Sequence, residues 1–231
     1  MSPRYAVYFT PPPDSKLAKF GAKVIGYDCF ARTEVPHKQI DGIDAAMLAL
    51  ATVDRRRYGF HATLTEPFDL GPHPEHDLVE AFRSFAASRL PVPLGRLRVA
   101  TMGHFIVLEP AEPHTGADEL AAACVTAFDP YRAAISEEDR ARRLAAGLSP
   151  RQIELMDRWG YPYVFEEFRF HMTIAGPVAD DMLGQFLHGL SGAFAGLASD
   201  HLELGAISLM RQDSRTDRFY VLARQRLTGR V

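Results

Sequence analysis

Two short stretches of this chain carry the same pattern. Phe60-His61-Ala62-Thr63-Leu64-Thr65-Glu66-Pro67 and Phe170-His171-Met172-Thr173-Ile174-Ala175-Gly176-Pro177 both read Phe-His-x-Thr-(Leu/Ile)-x-x-Pro, 110 residues apart. Of the nine histidines, only His61 and His171 are followed by x-Thr. Internal self-similarity is the first constraint to read, because overlooking it misassigns the whole fold. A chain that repeats one strand-like unit has to pack two related halves against each other.

The surroundings of the two motifs repeat as well. Alternation predicts a strand over Arg57–Thr65, ended by Pro67, then a helix over Glu75–Arg89 with Leu78, Phe82 and Phe85 on one side. Strands over Leu94–Ala100 and His104–Leu108 follow. The second round has a strand over Phe165–Ile174, a helix over Asp180–Leu197, and a hairpin of Leu202–Met210 with Arg218–Arg226. An aromatic strand, Arg4–Thr10, opens the chain before Pro11-Pro12-Pro13, and helices are expected from Lys16 to Gly26 and from Ile43 to Val53. The stretch from Thr115 to Trp159 reads as helical. These elements divide the chain into a first lobe (1–111), a helical insertion (112–162) and a second lobe (163–231).

Strand alternation gives the motif a chemical face. His61 and Thr63 point one way while Phe60, Ala62 and Leu64 point the other, and the same holds for His171 and Thr173 against Phe170, Met172 and Ile174. If the lobes are related by a pseudo-twofold, two imidazoles and two hydroxyls meet across one groove. One neutral imidazole takes a proton from an attacking hydroxyl or water, and one imidazolium donates to a leaving oxygen. Threonine hydroxyls can donate to nonbridging phosphate oxygens. Arg57 and Arg169, on the same expected strand faces, are candidates for a charge-assisted phosphate contact, with Arg55 and Arg56 in reserve. Tyr58, Tyr161 and Tyr163 read either as core or as stacking surfaces for a base or ribose.

Other chemistries find little support. His73-Pro-Glu-His76 sits in a Pro-rich loop without the helix that would present it to a metal, and no glycine loop ending in Gly-Lys-Ser/Thr cradles a triphosphate. The charged run Glu137–Arg143 fits a solvated helix face. The 26 basic against 29 acidic residues leave a net charge of −3, which argues against coating long nucleic acid while leaving room for a local basic pocket. No apolar run approaches membrane length and the amino terminus carries no secretory pattern. Cys29 and Cys124 form no Cys-x-x-Cys pair. A cytoplasmic location is therefore expected, with both cysteines as small buried hydrophobes.

The paired His-x-Thr motifs in two similar lobes resemble the 2H phosphoesterase superfamily, which includes RNA 2′,3′-cyclic phosphodiesterases and bacterial enzymes once called RNA ligases. The flanks Arg57-Tyr-Gly-Phe-His-Ala-Thr-Leu and Trp159 through Ile174, with the opening Arg4-Tyr-Ala-Val-Tyr-Phe-Thr-Pro, resemble a branch encoded beside phosphonate-degradation genes. The resemblance implies a duplicated α+β fold, antiparallel sheets backed by helices around a central cleft. It implies His61 and His171 as an acid–base pair, Thr63 and Thr173 as phosphate contacts, and no cofactor or metal. The activity it implies is a metal-independent phosphodiesterase opening a small cyclic phosphate ester. Two alternatives stay open: a phosphodiesterase acting on 2′,3′-cyclic or 2′,5′ linkages at RNA ends, and a non-catalytic phosphate-ester binding protein.

Overall fold

The opening segment is buried on both faces, so its alternation of aromatic and aliphatic residues makes a central strand rather than an edge. The computed structural model describes residues 3–230 and begins with that strand, β1 (Arg4–Phe9), in which Tyr5 through Phe9 are all buried. Helix α1 (Lys16–Ile25) starts where the Ser15 side chain accepts from the Ala18 N–H and stops at Gly26, whose φ of 86° ends the helix in the left-handed region. A two-stranded ribbon follows, β2 (Tyr27–Asp28) with β3 (Thr33–Glu34), then α2 (Ala45–Ala51), capped by Asp44.

The first motif opens β4 (Ala62–Asp69), which leads to α3 (Glu75–Ala87) and the hairpin of β5 (Val92–Met102) and β6 (Phe105–Pro110). Three helices come next: α4 (Gly116–Phe128), α5 (Glu137–Leu144) and α6 (Pro150–Trp159). The second motif opens β7 (Met172–Ala175), followed by α7 (Asp180–Phe194), β8 (His201–Leu204), β9 (Ala206–Gln212) and β10 (Tyr220–Arg226). The class is α+β, and every strand pairing is antiparallel.

Strand order across the main sheet is β10-β9-β1-β4-β7-β6-β5-β8. The four strands on each side of the β4–β7 junction draw on both segment 1–111 and segment 163–231. The hairpin β9–β10 lies beside β1, and β8 lies beside β5. Segments 1–111 and 163–231 are therefore interleaved in one sheet. At the centre the sheet is thin: the register pair between β4 and β7 is Ala62 with Met172.

The helical stretch 112–162 has two characters. In α4, Ala117, Leu120, Ala121, Cys124, Val125 and Phe128 are buried at helical spacing, and the helix packs on β4 and β5. Its first helix thus belongs to the body of the molecule. By contrast α5 buries nothing, and α6 buries only Leu155 and Met156. Ser149 gives α6 a complete capping box with Gln152.

Several expected boundaries move. Residues 55–57 form a 3₁₀ turn instead of the start of a strand, so Arg57 has no strand face. Pro67 lies inside β4, at an irregularity where the pairing with β1 skips from Thr65–Val7 to Phe68–Tyr5. There the Thr65 hydroxyl accepts the Val7 N–H at 2.8 Å, and a residue without an N–H costs nothing. Phe165–Phe170 is not strand: Phe165 has φ 54° in a 3₁₀ turn. Its neighbours Glu166 and Glu167 are held by Arg151 and Gln152 of α6. The single strand expected at 202–210 breaks at Gly205, where the chain leaves β5 for β1. Both cysteines are free and buried, and burial raises both thiol pKa values.

Candidate active site

The junction of β4 and β7 brings the two motifs together. With Ala62 opposite Met172 in an antiparallel pair, His61 falls across from Thr173 and Thr63 across from His171. Ala62, Leu64, Met172 and Ile174 are buried, whereas His61, Thr63, His171 and Thr173 are half-buried on the other face. The two histidines lie on the diagonal of this square, for which regular strands give about 7–8 Å between partners. All four side chains line one cleft of about 920 Å³.

Each histidine is held in the same way. His61 Nδ1 donates to the Gly59 carbonyl at 2.9 Å, and His171 Nδ1 donates to the Arg169 carbonyl at 2.8 Å. A carbonyl only accepts, so Nδ1 carries the proton and Nε2 is left to act in the cleft. Thr63 Oγ1 sits 3.3 Å from His61 Nε2. Gly59 is required for this arrangement: its φ is 74°, and a Cβ there would stand 2.7 Å from Cys29 Cβ.

The two sides of the square are not equivalent. Tyr8 stands opposite Thr63 in β1, and its ring stacks on His61 with centroids 3.8 Å apart and planes 17° from parallel. The position opposite Thr173 in β6 is Val107. Burial pushes the His61 imidazole from its ordinary 6.5 down to about 4, with Arg55 and His171 adding to the effect against the Gly59 hydrogen bond. His171 is also lowered, by burial first and then by Arg55, while its Arg169 hydrogen bond and Glu109 oppose the shift.

Arg55 is the cation that both histidines feel. It lines the cleft, its Nε is buried with no hydrogen-bond partner, and its guanidinium lies over the Phe105 ring at 5.4 Å. Its neighbours turn away: Arg56 donates to the Ala49 carbonyl at 2.6 Å, and Arg57 is exposed and outside the cleft lining. Arg169 does line the cleft, as an exposed side chain. Of the four expected phosphate contacts, the cleft therefore holds Thr63, Thr173 and Arg169, with Arg55 in the place expected for Arg57.

Tyr58, Tyr161 and Tyr163 all line the cleft. Behind the cleft residues Glu66 and Tyr161, Arg143 reaches Glu66 at 3.7 Å and lies over the Tyr161 ring at 4.9 Å, which ties α5 to β4. Burial raises the Glu66 pKa against the pull of Arg143. Sequence reading missed Tyr8, Glu66 and Glu109. For Tyr8 the available signal was alternation within β1, but nothing in it specified the partner across the strand. Among the described residues, no group of three or more His, Cys, Asp and Glu side chains is placed to hold a metal ion. No helix among them is long and apolar enough to cross a membrane.

Comparison with known proteins gives three kinds of likeness. The chain is 43% identical over 173 residues to the ribose 1,5-bisphosphate phosphokinase PhnN of Janthinobacterium sp. (strain Marseille), covering 74% of this chain and 38% of that protein. It is 34% identical over 194 residues to the protein of the same name in Laribacter hongkongensis (strain HLHK9), covering 84% and 45%. The chain thus spans about two fifths of the length of these curated relatives. Among solved structures, Escherichia coli LigT in complex with 3′-AMP aligns over 99% of both chains at 14% identity and a TM-score of 0.41. TT0787 of Thermus thermophilus aligns over 98% of both at 16% and 0.44. A family model described as "Protein of unknown function (DUF1045)" matches residues 59–220, from the glycine that holds His61 to the aromatic that opens β10. That stretch contains both His-x-Thr motifs and most of the chain, and the chain belongs to the DUF1045 family.

Proposed function

We propose that this chain is a metal-independent phosphodiesterase that opens a small cyclic phosphate ester, acting in phosphonate metabolism. The observation that carries the reading is the matched pair of histidines, each with Nδ1 tied to a backbone carbonyl and Nε2 free in one cleft. His61, kept neutral by burial, takes a proton from water as the water oxygen bonds to phosphorus. One ring P–O bond breaks, and protonated His171 gives its proton to the departing oxygen, leaving a phosphate monoester and a free hydroxyl. A bound anion favours the charged form of His171, as Glu109 already does. Thr63, Thr173, Arg55 and Arg169 hold the nonbridging oxygens. Base, acid and anion donors all come from side chains, and no step calls for a metal.

The names of the longer relatives support a ribosyl substrate class. Opening a ribosyl cyclic phosphate yields a ribose phosphate monoester, the chemical kind of molecule for which the longer kinases are named. This chain has no Gly-Lys-Ser/Thr loop, so we assign it the hydrolytic step and not phosphate transfer from a nucleotide. A second reading, RNA-end 2′,3′-cyclic or 2′,5′ hydrolysis, draws on the tyrosines that line the cleft and could stack on a base.

The test is side-by-side turnover of a ribosyl cyclic phosphate, a 2′,3′-cyclic nucleotide and a tRNA-length cyclic-ended RNA, with and without EDTA. Faster turnover of the ribosyl compound, unchanged by EDTA, is expected. Preference for the RNA would favour the second reading. Binding without turnover of all three would leave a non-catalytic phosphate-ester binder.

A further inference from the structure

A second cavity, of about 610 Å³, shares no lining residue with the histidine cleft. It lies where the chain crosses from one half of the sheet to the other. Leu97 of β5 and Leu202 of β8 contribute from one half, and Ala206 of β9 and Arg224 of β10 from the other. The start of α1 and the end of α7 complete the walls.

Its polar side carries three cations: Arg224, which is half-buried, and Lys16 and Arg226, which are exposed. Arg224 and Arg226 alternate onto one face of β10, opposite Ser208 and Ala206, and Lys16 opens α1 beside them. Arg224 is half-buried, and its Nε is buried without a hydrogen-bond partner. Burial and the neighbouring Arg226 both work against its charge, and no carboxylate is among the groups that act on it. None of these three cations belongs to an ion pair among the described residues. Asp200, His201 and Glu203 also line the cavity, exposed as Lys16 and Arg226 are, and neither carboxylate pairs with any of the three cations. The opposite wall is apolar, built from Leu17, Leu97, Phe194 and Leu197. Uncompensated buried charge is costly, and two adjacent arginines at an apolar hollow complement an anion with an apolar body.

We propose that this cavity binds a small organic anion, with its phosphate or carboxylate on Lys16, Arg224 and Arg226 and its apolar body against Leu17, Leu97, Phe194 and Leu197. The site is separate from the histidine cleft and does not depend on what that cleft hydrolyses.

The full chain, methyl-labelled at leucine, is titrated with phenyl phosphate, benzoate and inorganic phosphate and followed by NMR. Leu17, Leu97 and Leu197 report on this cavity, while a methyl label on Met102, added alongside, reports on the histidine cleft. Saturable shifts of the three reporters at millimolar concentration or below are expected with phenyl phosphate or benzoate, the tighter of the two identifying the head group. Inorganic phosphate, lacking the apolar body, is expected to bind at least tenfold more weakly, and Arg224→Gln to weaken the organic anion about tenfold or more. No saturable shift of the three reporters overturns the site, as does unchanged affinity in Arg224→Gln. Equal affinity for inorganic and phenyl phosphate overturns the ligand class. Should Arg224→Gln lose its dispersed spectrum, the Lys16→Gln/Arg226→Gln double variant makes the same measurement.

Discussion

At the scale of the residue, the two histidines share a tether but not an environment. Replacing either His61 or His171 with Ala is expected to lower kcat/KM by about 10²–10⁴-fold, the usual worth of a positioned acid or base, with the fold intact by circular dichroism. Full activity in either variant would sink the mechanism. Burial sets what NMR should see: His61 stays neutral as pH falls and charges only near 4. Because the folded pKa of His61 lies below its ordinary 6.5, the unfolded chain binds the extra proton first. Stability is then lost as pH falls from about 6.5 toward 4, by at most about 1.4 kcal/mol per pH unit from this group. Denaturant melts across that window should show the loss, and His61→Asn should flatten it. A His61→Asn protein with an unchanged pH slope would contradict the assignment. The motif itself named His61, Thr63, His171 and Thr173 from the sequence. The arginine was less legible, because a 3₁₀ turn rotates residues 55–57 by thirds and sends Arg55 to the cleft while a strand would have sent Arg57.

Among the elements, α1 bears most directly on the first motif. Gly21 lies so close to Phe60 that an added Cβ would stand 2.0 Å from its ring, and Phe60 immediately precedes His61. Gly21→Ala is therefore expected to cost about 1–3 kcal/mol by overpacking, read from thermal melts, and to lower kcat more than it raises KM by displacing His61. A stable, fully active Gly21→Ala protein would show that the helix does not position the histidine. The order of the elements was readable because hydrophobic period and capping residues such as Ser15, Asp44 and Ser149 are local signals. Their ends were less so where tertiary partners intervene. Pro67 persists in a strand because it falls at an irregularity in the pairing with β1, where the Thr65 hydroxyl takes the Val7 N–H, and the apolar Val164 and Phe165 join Trp159 and Tyr161 in a small cluster instead of alternating across a sheet.

On the scale of the whole molecule, the repeat was visible in the sequence, but the exchange of strands between its copies was not. Hydrophobic alternation says which residues face inward, not which strand lies alongside, and the pairing of β9 with β1 joins residues about 200 apart in the chain. Fragments 1–111 and 112–231, produced separately, are each expected to lack a dispersed amide NMR spectrum, since the first would leave β1 without β9 and the second would leave β8 without β5. A folded, monomeric fragment would show that the halves are more independent than the sheet order implies.

The pairing of Tyr8 with Thr63 on one side and of Val107 with Thr173 on the other has a consequence for how the cleft is used. Two identical copies would make a lock that accepts its key either way round. With a flat ring on His61 and a small branched residue across from Thr173, the two directions of entry differ. A molecule with distinct ends would therefore meet a different surface at each end of the cleft.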